Sequence, residues 1–261
     1  MYPDELFLGL TLYDLMLALA VVVAMLIFSR FSNKRGISAR LHNFVLADAV
    51  VTVTLGYLFA VLFQAIYNWI DSGVFSINAN TGATFLGGFA GGAGILFAFY
   101  FGAGALVFKK HGNEHIKELP GLIDIFTVCV PAAHAVGRIG CFFAGCCYGI
   151  HVEGFPGVYM EQAGGVVLPV QLFESAFLIL LTVFLWIRAD KFKRGNLCFY
   201  LVIYGIWRFF IEYIRGDYRG ETIVSFLTPS QLISVIMIIL GVLLWLFVYR
   251  RRGARTAESD K

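Results

Sequence analysis

The chain has 261 residues, 59% of them hydrophobic and 14% charged, with mean hydropathy +0.78 and a formal net charge of +3. So apolar a composition excludes an ordinary soluble domain of this length and fits a membrane bundle. The small positive balance gives no electrostatic footprint for nucleic acid.

The opening Met1-Tyr2-Pro3-Asp4-Glu5 has no basic n-region, so the first apolar run reads as a true span and not a cleaved signal. A span needs about 20 apolar residues. Seven runs qualify, near 9–29, 46–68, 84–108, 121–140, 170–188, 197–213 and 228–249. The expected fold is all-α: a polytopic membrane protein with seven transmembrane helices in one domain, 1–251, and a disordered cytoplasmic tail, 252–261.

The third run opens with Thr84-Phe-Leu-Gly-Gly-Phe-Ala-Gly-Gly-Ala-Gly94. Its glycines at 87 and 91, and at 88 and 92, repeat every four residues. Close helix packing in lipid explains that spacing. A bare backbone that leaves room for a headgroup or acyl chain beside Arg138 is the alternative.

The fourth run leads into His134-Ala-Val-Gly-Arg138-Ile-Gly-Cys141, then Cys146, Cys147 and Gly149. On a helix His134, Arg138 and Cys141 share a face at spacings of four and three. Ionisable groups in apolar surroundings are expensive and mark a functional site by default. For the thiols of Cys141, Cys146 and Cys147 three readings stay open. One is small apolar packing or a disulfide from Cys141 to either of the others. The second is a redox or catalytic thiol, and the third is metal binding. Their spacing matches no zinc module, so no metal ligand set is assigned and no cofactor is expected.

The fifth run begins Leu-Pro169-Val-Gln171-Leu-Phe-Glu174. Gln171 and Glu174 share a face, although proline and an early acid also suit a helix start. The sixth run carries Tyr204, Arg208, Glu212 and Arg215, again on one face. Arg208 and Glu212 at i,i+4 could simply be a buried ion pair. The seventh begins with Pro229 and Gln231 in the manner of a helix start.

Sixteen of the 20 Lys and Arg fall in the first, third and fifth connections and the tail, which places those on the cytoplasmic side, the N-terminus outside and the C-terminus inside. Arg138, Arg208, Arg215 and Arg219 break that pattern. They gather in or beside the two polar faces, near the outer surface. The abundant anion at that depth is lipid phosphate, which arginine binds as a permanent, bidentate cation.

These motifs together resemble the prolipoprotein diacylglyceryl transferase family of bacterial inner membranes. The matching residues are Gly137-Arg138-Ile139-Gly140 with Phe142 and Gly149; Pro169, Gln171, Leu172, Phe173 and Glu174; and Tyr204, Gly205, Arg208, Phe209, Glu212 and Arg215. Tyr13 resembles the family's first-span tyrosine, and Asp124 the aspartate before the signature. The resemblance covers nearly the whole chain. It implies a multi-pass inner-membrane enzyme that moves diacylglyceryl from phosphatidylglycerol to the cysteine thiol of a prolipoprotein lipobox, releasing glycerol phosphate.

By the same resemblance, Arg138 and Arg208 would hold the phosphate, and Glu212 would orient Arg208 or the headgroup. Tyr13, Gly87, Gly88, Gln171, Glu174, Tyr204 and Arg215 would contact substrate. The chain departs from the pattern at Leu86, where the family carries histidine, at Cys141 and Ala144, where it carries asparagine, and at Cys146, where it carries glutamate. The outer connections 69–83 and 150–168 are short for the family. With Leu86 unable to accept a proton, His134 is the histidine on a motif face that could serve as base. A thiol-redox or metal-handling membrane protein, or a non-catalytic lipid-binding partner, are the alternative functions.

Overall fold

A computed structural model describes residues 10–78, 81–82, 84–191, 195–217 and 226–259. Among these, seven helices are long and apolar enough to cross a membrane, at the places the hydropathy of the sequence predicts. They are α1 (Leu12–Arg35), α2 (Ala39–Ser72), α3 (Phe85–Phe97, continued through a π-helical turn, Ala98–Ala103, into α4, Gly104–Val107), α5 (Glu114–Ala144), α6 (Val170–Lys191), α7 (Asn196–Ile211) and α8 (Pro229–Ser259). Arg219 lies outside the described residues. The helix of α8 runs to Ser259, where the sequence reading expected a disordered tail from 252. Arg, Ala and Glu in that stretch are good helix formers, so the last span carries its helix on.

The helix starts are written in the sequence. Thr11 and Asp14 bond each other's backbone N–H at the head of α1, at 3.3 and 2.9 Å. Thr228 and Gln231 do the same at α8, at 3.2 and 3.1 Å. Each is a reciprocal cap that satisfies two of the orphan donors of a first turn. Proline at the first position of α8 has no N–H to leave unsatisfied.

The chain divides into two compact units, 32–119 and 1–31 with 120–261.

In the 32–119 unit, α2 and α3 pack through glycine. A Cβ on Gly87 would meet Phe63 at 2.6 Å, and one on Gly91 would meet Phe59 at 2.4 Å; Gly56 faces the Gly92 backbone at 3.2 Å. This is close helix packing. Gly87 and Gly88 are therefore committed to α2, Gly88 against Ala60. The packing reading of the α3 glycines accounts for both residues, since the places a Cβ would take are filled by Phe63 and Ala60. The π-helical turn carries Tyr100, whose hydroxyl donates to the His115 carbonyl at 2.6 Å.

In the other unit, α7 and α8 pack tightly at Gly205 and Gly241, whose Cβ positions would meet Ile238 at 2.9 Å and Val202 at 2.7 Å. Gly140 on α5 lets α1 approach, with Met16 at 3.0 Å and Tyr13 at 3.3 Å from its Cβ position. Asp124 of α5 accepts the Asn196 backbone N–H at 2.8 Å. It thus caps α7, whose preceding residue, Gly195, offers no side chain to do so. Between α5 and α6 lies a small antiparallel hairpin, β1 (Val158–Met160) and β2 (Gly165–Val167), with Tyr159 opposite Val166.

Candidate active site

Glu174 is the hub. It stands one turn into α6 and is fully buried. Its Oε2 lies 2.8 Å from Arg138 Nε of α5, an ion contact whose angle misses hydrogen-bond geometry. Arg215 Nη1 lies 3.9 Å from the same oxygen. The other oxygen accepts the Tyr204 hydroxyl of α7 at 3.1 Å and lies 3.8 Å from His134 Nε2. The His134 ring meets Tyr204 edge to face. Thus α5, α6 and α7 each contribute to one polar cluster, and a sequence reading that gave Glu174 a substrate contact or a helix-start role missed its centrality.

Arg208, at the end of α7, sits beside the cluster. Its Nη2 donates to Ser230 Oγ at 2.7 Å and meets Glu212 Oε2 at 2.9 Å. Glu212 Oε1 in turn accepts the Thr228 hydroxyl at 3.0 Å. The ion pair that the i,i+4 spacing allowed is therefore formed, and the start of α8 supports it. Arg215 presents a two-pronged contact to Asp217, both bonds 2.9 Å. Asp217, Thr228 and Ser230 were not singled out in the sequence. Only the Thr-Pro-Ser-Gln helix start gave a signal for the last two.

Three guanidiniums thus face three carboxylates, so the cluster is not a bare cationic sink. What it offers is direction. Arg208 Nη1 and Arg215 Nη1 are buried and have no hydrogen-bond acceptor. A buried donor left without an acceptor forfeits its hydration for nothing, which natural structures avoid unless something else binds there.

Gln171, expected from the sequence to contact substrate, bonds here to backbone. It is fully buried, and its Nε2 donates to the Cys146 carbonyl at 2.6 Å, with Met160 Sδ at 3.7 Å. It clamps the loop that follows α5. The same loop pairs with the chain after α7: Ile150 N–H donates to Ile214 O at 3.0 Å, and Gly216 N–H to Tyr148 O at 3.2 Å. At the bridge, a Cβ on Gly149 would lie 2.5 Å from Val170 and 2.8 Å from the Ile214 carbonyl. Because backbone cannot yield, Gly149→Ala is expected to lower stability by about 1–3 kcal/mol and to displace Arg215. A thermal-unfolding midpoint in detergent equal to that of the unmutated protein would show that the bridge tolerates a methyl.

The three thiols come together. Sγ atoms of Cys141, Cys146 and Cys147 all lie within 4.8 Å of one another, and all three are partly exposed. None of the chain's five cysteines is in a disulfide, so the bridge considered from the sequence is not made. The Tyr13 hydroxyl is within electrostatic range of all three. Hydrogen bonds from Cys141 and Cys146 hold the Cys147 thiol below its ordinary range, burial opposes them, and the charges of Arg138 and Arg215 add to the lowering. Hydrogen bonding to Cys141 and Cys147 pushes the Cys146 thiol up. Cys147 is then the most readily ionised thiol of the trio. In reduced protein its alkylation should fall less steeply from about pH 8 to pH 6 than that of an ordinary thiol, which slows about tenfold per unit. Mass spectrometry of maleimide-labelled peptides over that range is the check, and an ordinary slope refutes the assignment.

Comparison with known proteins agrees with this picture. The family model described as prolipoprotein diacylglyceryl transferase matches residues 5–247. The phosphatidylglycerol–prolipoprotein diacylglyceryl transferase of Clostridium tetani is 32% identical over 238 residues, covering 88% of this chain and 90% of that protein. Transferase 2 of Clostridium perfringens is 31% identical over 245 residues, 89% of each. The enzyme of Dehalococcoides mccartyi strain 195 is 28% identical over 260 residues, 95% of this chain and 92% of that protein. With all seven candidate spans, Leu12 to Phe247, inside the match, the chain belongs to the prolipoprotein diacylglyceryl transferase family.

Proposed function

We propose that this protein transfers the diacylglyceryl group of phosphatidylglycerol to the cysteine thiol of a prolipoprotein lipobox, at the outer face of the bacterial inner membrane. The observation that carries the reading is the pair of buried, acceptor-less guanidinium nitrogens, Arg208 Nη1 and Arg215 Nη1, beside the Arg138–Glu174 contact. They are donors in want of an anion in a membrane protein whose family acts on phospholipid.

In the reaction the acceptor thiol loses its proton, its sulfur bonds the terminal glyceryl carbon, and the carbon–oxygen bond to phosphate breaks. Glycerol phosphate leaves with the electron pair. Arg208 and Arg138 stabilise the charge that gathers on the leaving phosphate, and Glu212 and Ser230 hold the Arg208 fork. His134, beside Glu174, accepts the thiol proton. Tyr204, bonded to Glu174, keeps that carboxylate oriented, and Tyr13 lines the same end of α1 and α5. The outer location is supported by the sixteen basic residues assigned to the opposite side.

The test is transfer in reconstituted vesicles of phosphatidylglycerol with a lipobox peptide. One glycerol phosphate released per thioether formed is expected. Lipid retention without release would favour a non-catalytic lipid-binding role, and neither retention nor release would remove the phospholipid reading.

A further inference from the structure

The cysteine trio is built, and not merely adjacent. The helix α5 ends at Ala144, and Gly145 then turns the chain in the left-handed conformation at φ 73°. The Cys146 backbone N–H returns to the Cys141 carbonyl at 3.2 Å. Cys147 is itself left-handed, at φ 63°, a conformation unfavourable to any residue with a Cβ. Strain of this kind persists only where the surroundings enforce it, and it clusters at functional sites. Here the enforcement is visible: Gln171 holds the Cys146 carbonyl from α6, and Gly149 is bridged to Arg215. The outcome is that three sulfurs from a Cys-x4-Cys-Cys stretch, whose spacing predicts no metal module, face one another within 4.8 Å.

We propose that Cys141, Cys146 and Cys147 form a three-thiolate site for one thiophilic cation of the Zn²⁺ and Cu⁺ class. The sulfurs of a zinc site with bonds of ~2.3 Å stand roughly 3.8 Å apart, about 1 Å closer than the 4.8 Å that bounds the trio here. An all-sulfur donor set selects soft or borderline ions against Mg²⁺ or Ca²⁺. Three thiolates around a divalent ion leave one net negative charge, and Arg138 and Arg215 both lie within electrostatic range of Cys147 to offset it. Three protein ligands also leave a tetrahedral ion one position for an outside ligand, as in zinc sites that do chemistry. Binding releases the thiol protons to solvent and needs no oxidant or reductant. The site stands whether or not the transferase reading holds.

The test uses the full-length protein in neutral detergent, reduced and stripped of metal. Cd²⁺ is added while the ultraviolet sulfur-to-metal charge-transfer band is followed, and Zn²⁺ is then used as competitor. One Cd²⁺ per chain, displaced by Zn²⁺, is expected. The Cys129→Ser, Cys198→Ser double variant should bind as the unmutated protein does. Cys141→Ser, Cys146→Ser and Cys147→Ser should each weaken binding by at least about 100-fold, beyond the 10–100-fold that loss of an outer-shell group brings. No band in the unmutated protein, or an undiminished band in any one of the three variants, overturns the site. A second measurement needs no variant: saturating Zn²⁺ should protect all three cysteines from maleimide, read by peptide mass spectrometry. Alkylation of any of them at the metal-free rate also overturns it.

Discussion

Arg208→Lys is expected to slow glycerol phosphate release about 10²–10³-fold, the range for loss of one well-placed donor to a developing anion, while the protein stays folded. Arg208 is buried and already gives Nη2 to Ser230 and Glu212. Its Nη1 is buried without a hydrogen-bond acceptor. Lysine keeps the charge but replaces a planar fork by a single point. An ammonium that bonds Ser230 and Glu212 has one N–H left and no planar fork to turn toward the phosphate. The leaving group gains most of its charge in the transition state, so the loss should appear in kcat more than in KM. Lysine is a cleaner probe than alanine, which would strand Glu212 as a buried unpaired carboxylate and lower stability as well. The decisive measurement is steady-state transfer with varied phosphatidylglycerol. A raised KM with unchanged kcat would mean that Arg208 binds lipid uniformly along the reaction, and full activity would remove it from the phosphate site.

The spans were legible because they rest on one strong physical signal. About 20 apolar residues in a row have few other uses, and the observed helices fall on all seven runs. The polar residues of α5 and α7 were legible for the complementary reason, since cations in apolar runs stand out, but Arg215, expected on the same helical face, lies past the end of α7 in extended backbone. What could not be read was which groups meet. Glu174 lies 36 residues from Arg138 and 30 from Tyr204 in sequence, and only the packing of α5, α6 and α7 makes it their common partner. Gln171 looked like its companion on the same face, yet its amide points to a backbone carbonyl 25 residues earlier. The glycines of α3 had two uses available, and contact with Phe59 and Phe63 decides for packing. The thiol trio depended on two left-handed residues on either side of Cys146, Gly145 and Cys147. Glycine announces such a turn; cysteine does not.

Glu174→Gln is expected to be the most destabilising conservative change in the site, by about 3–5 kcal/mol, the usual effect of breaking a buried ion pair from one side. Glutamine preserves shape and can still accept from Tyr204, so packing is not at issue. The charge is. Arg215 keeps Asp217 and Arg208 keeps Glu212, but among the described ion contacts Arg138 has Glu174 as its carboxylate. The variant therefore buries one guanidinium without a counterion. This makes lipid a diagnostic. A ligand that binds the folded state stabilises it in proportion to the logarithm of its concentration over Kd. If the phosphate of phosphatidylglycerol docks among these arginines, it supplies the missing negative charge in the variant, whereas in the unmutated protein it must share Arg138 with Glu174. Adding phosphatidylglycerol to neutral detergent micelles should thus raise the unfolding midpoint of Glu174→Gln more than that of the unmutated protein, while phosphatidylcholine separates the two less. Equal midpoints for both proteins without lipid would show that Glu174 does not balance the cations. A low midpoint that phosphatidylglycerol leaves unchanged would show that the phosphate does not reach Arg138, and would leave Arg208 and Arg215 as the headgroup contacts.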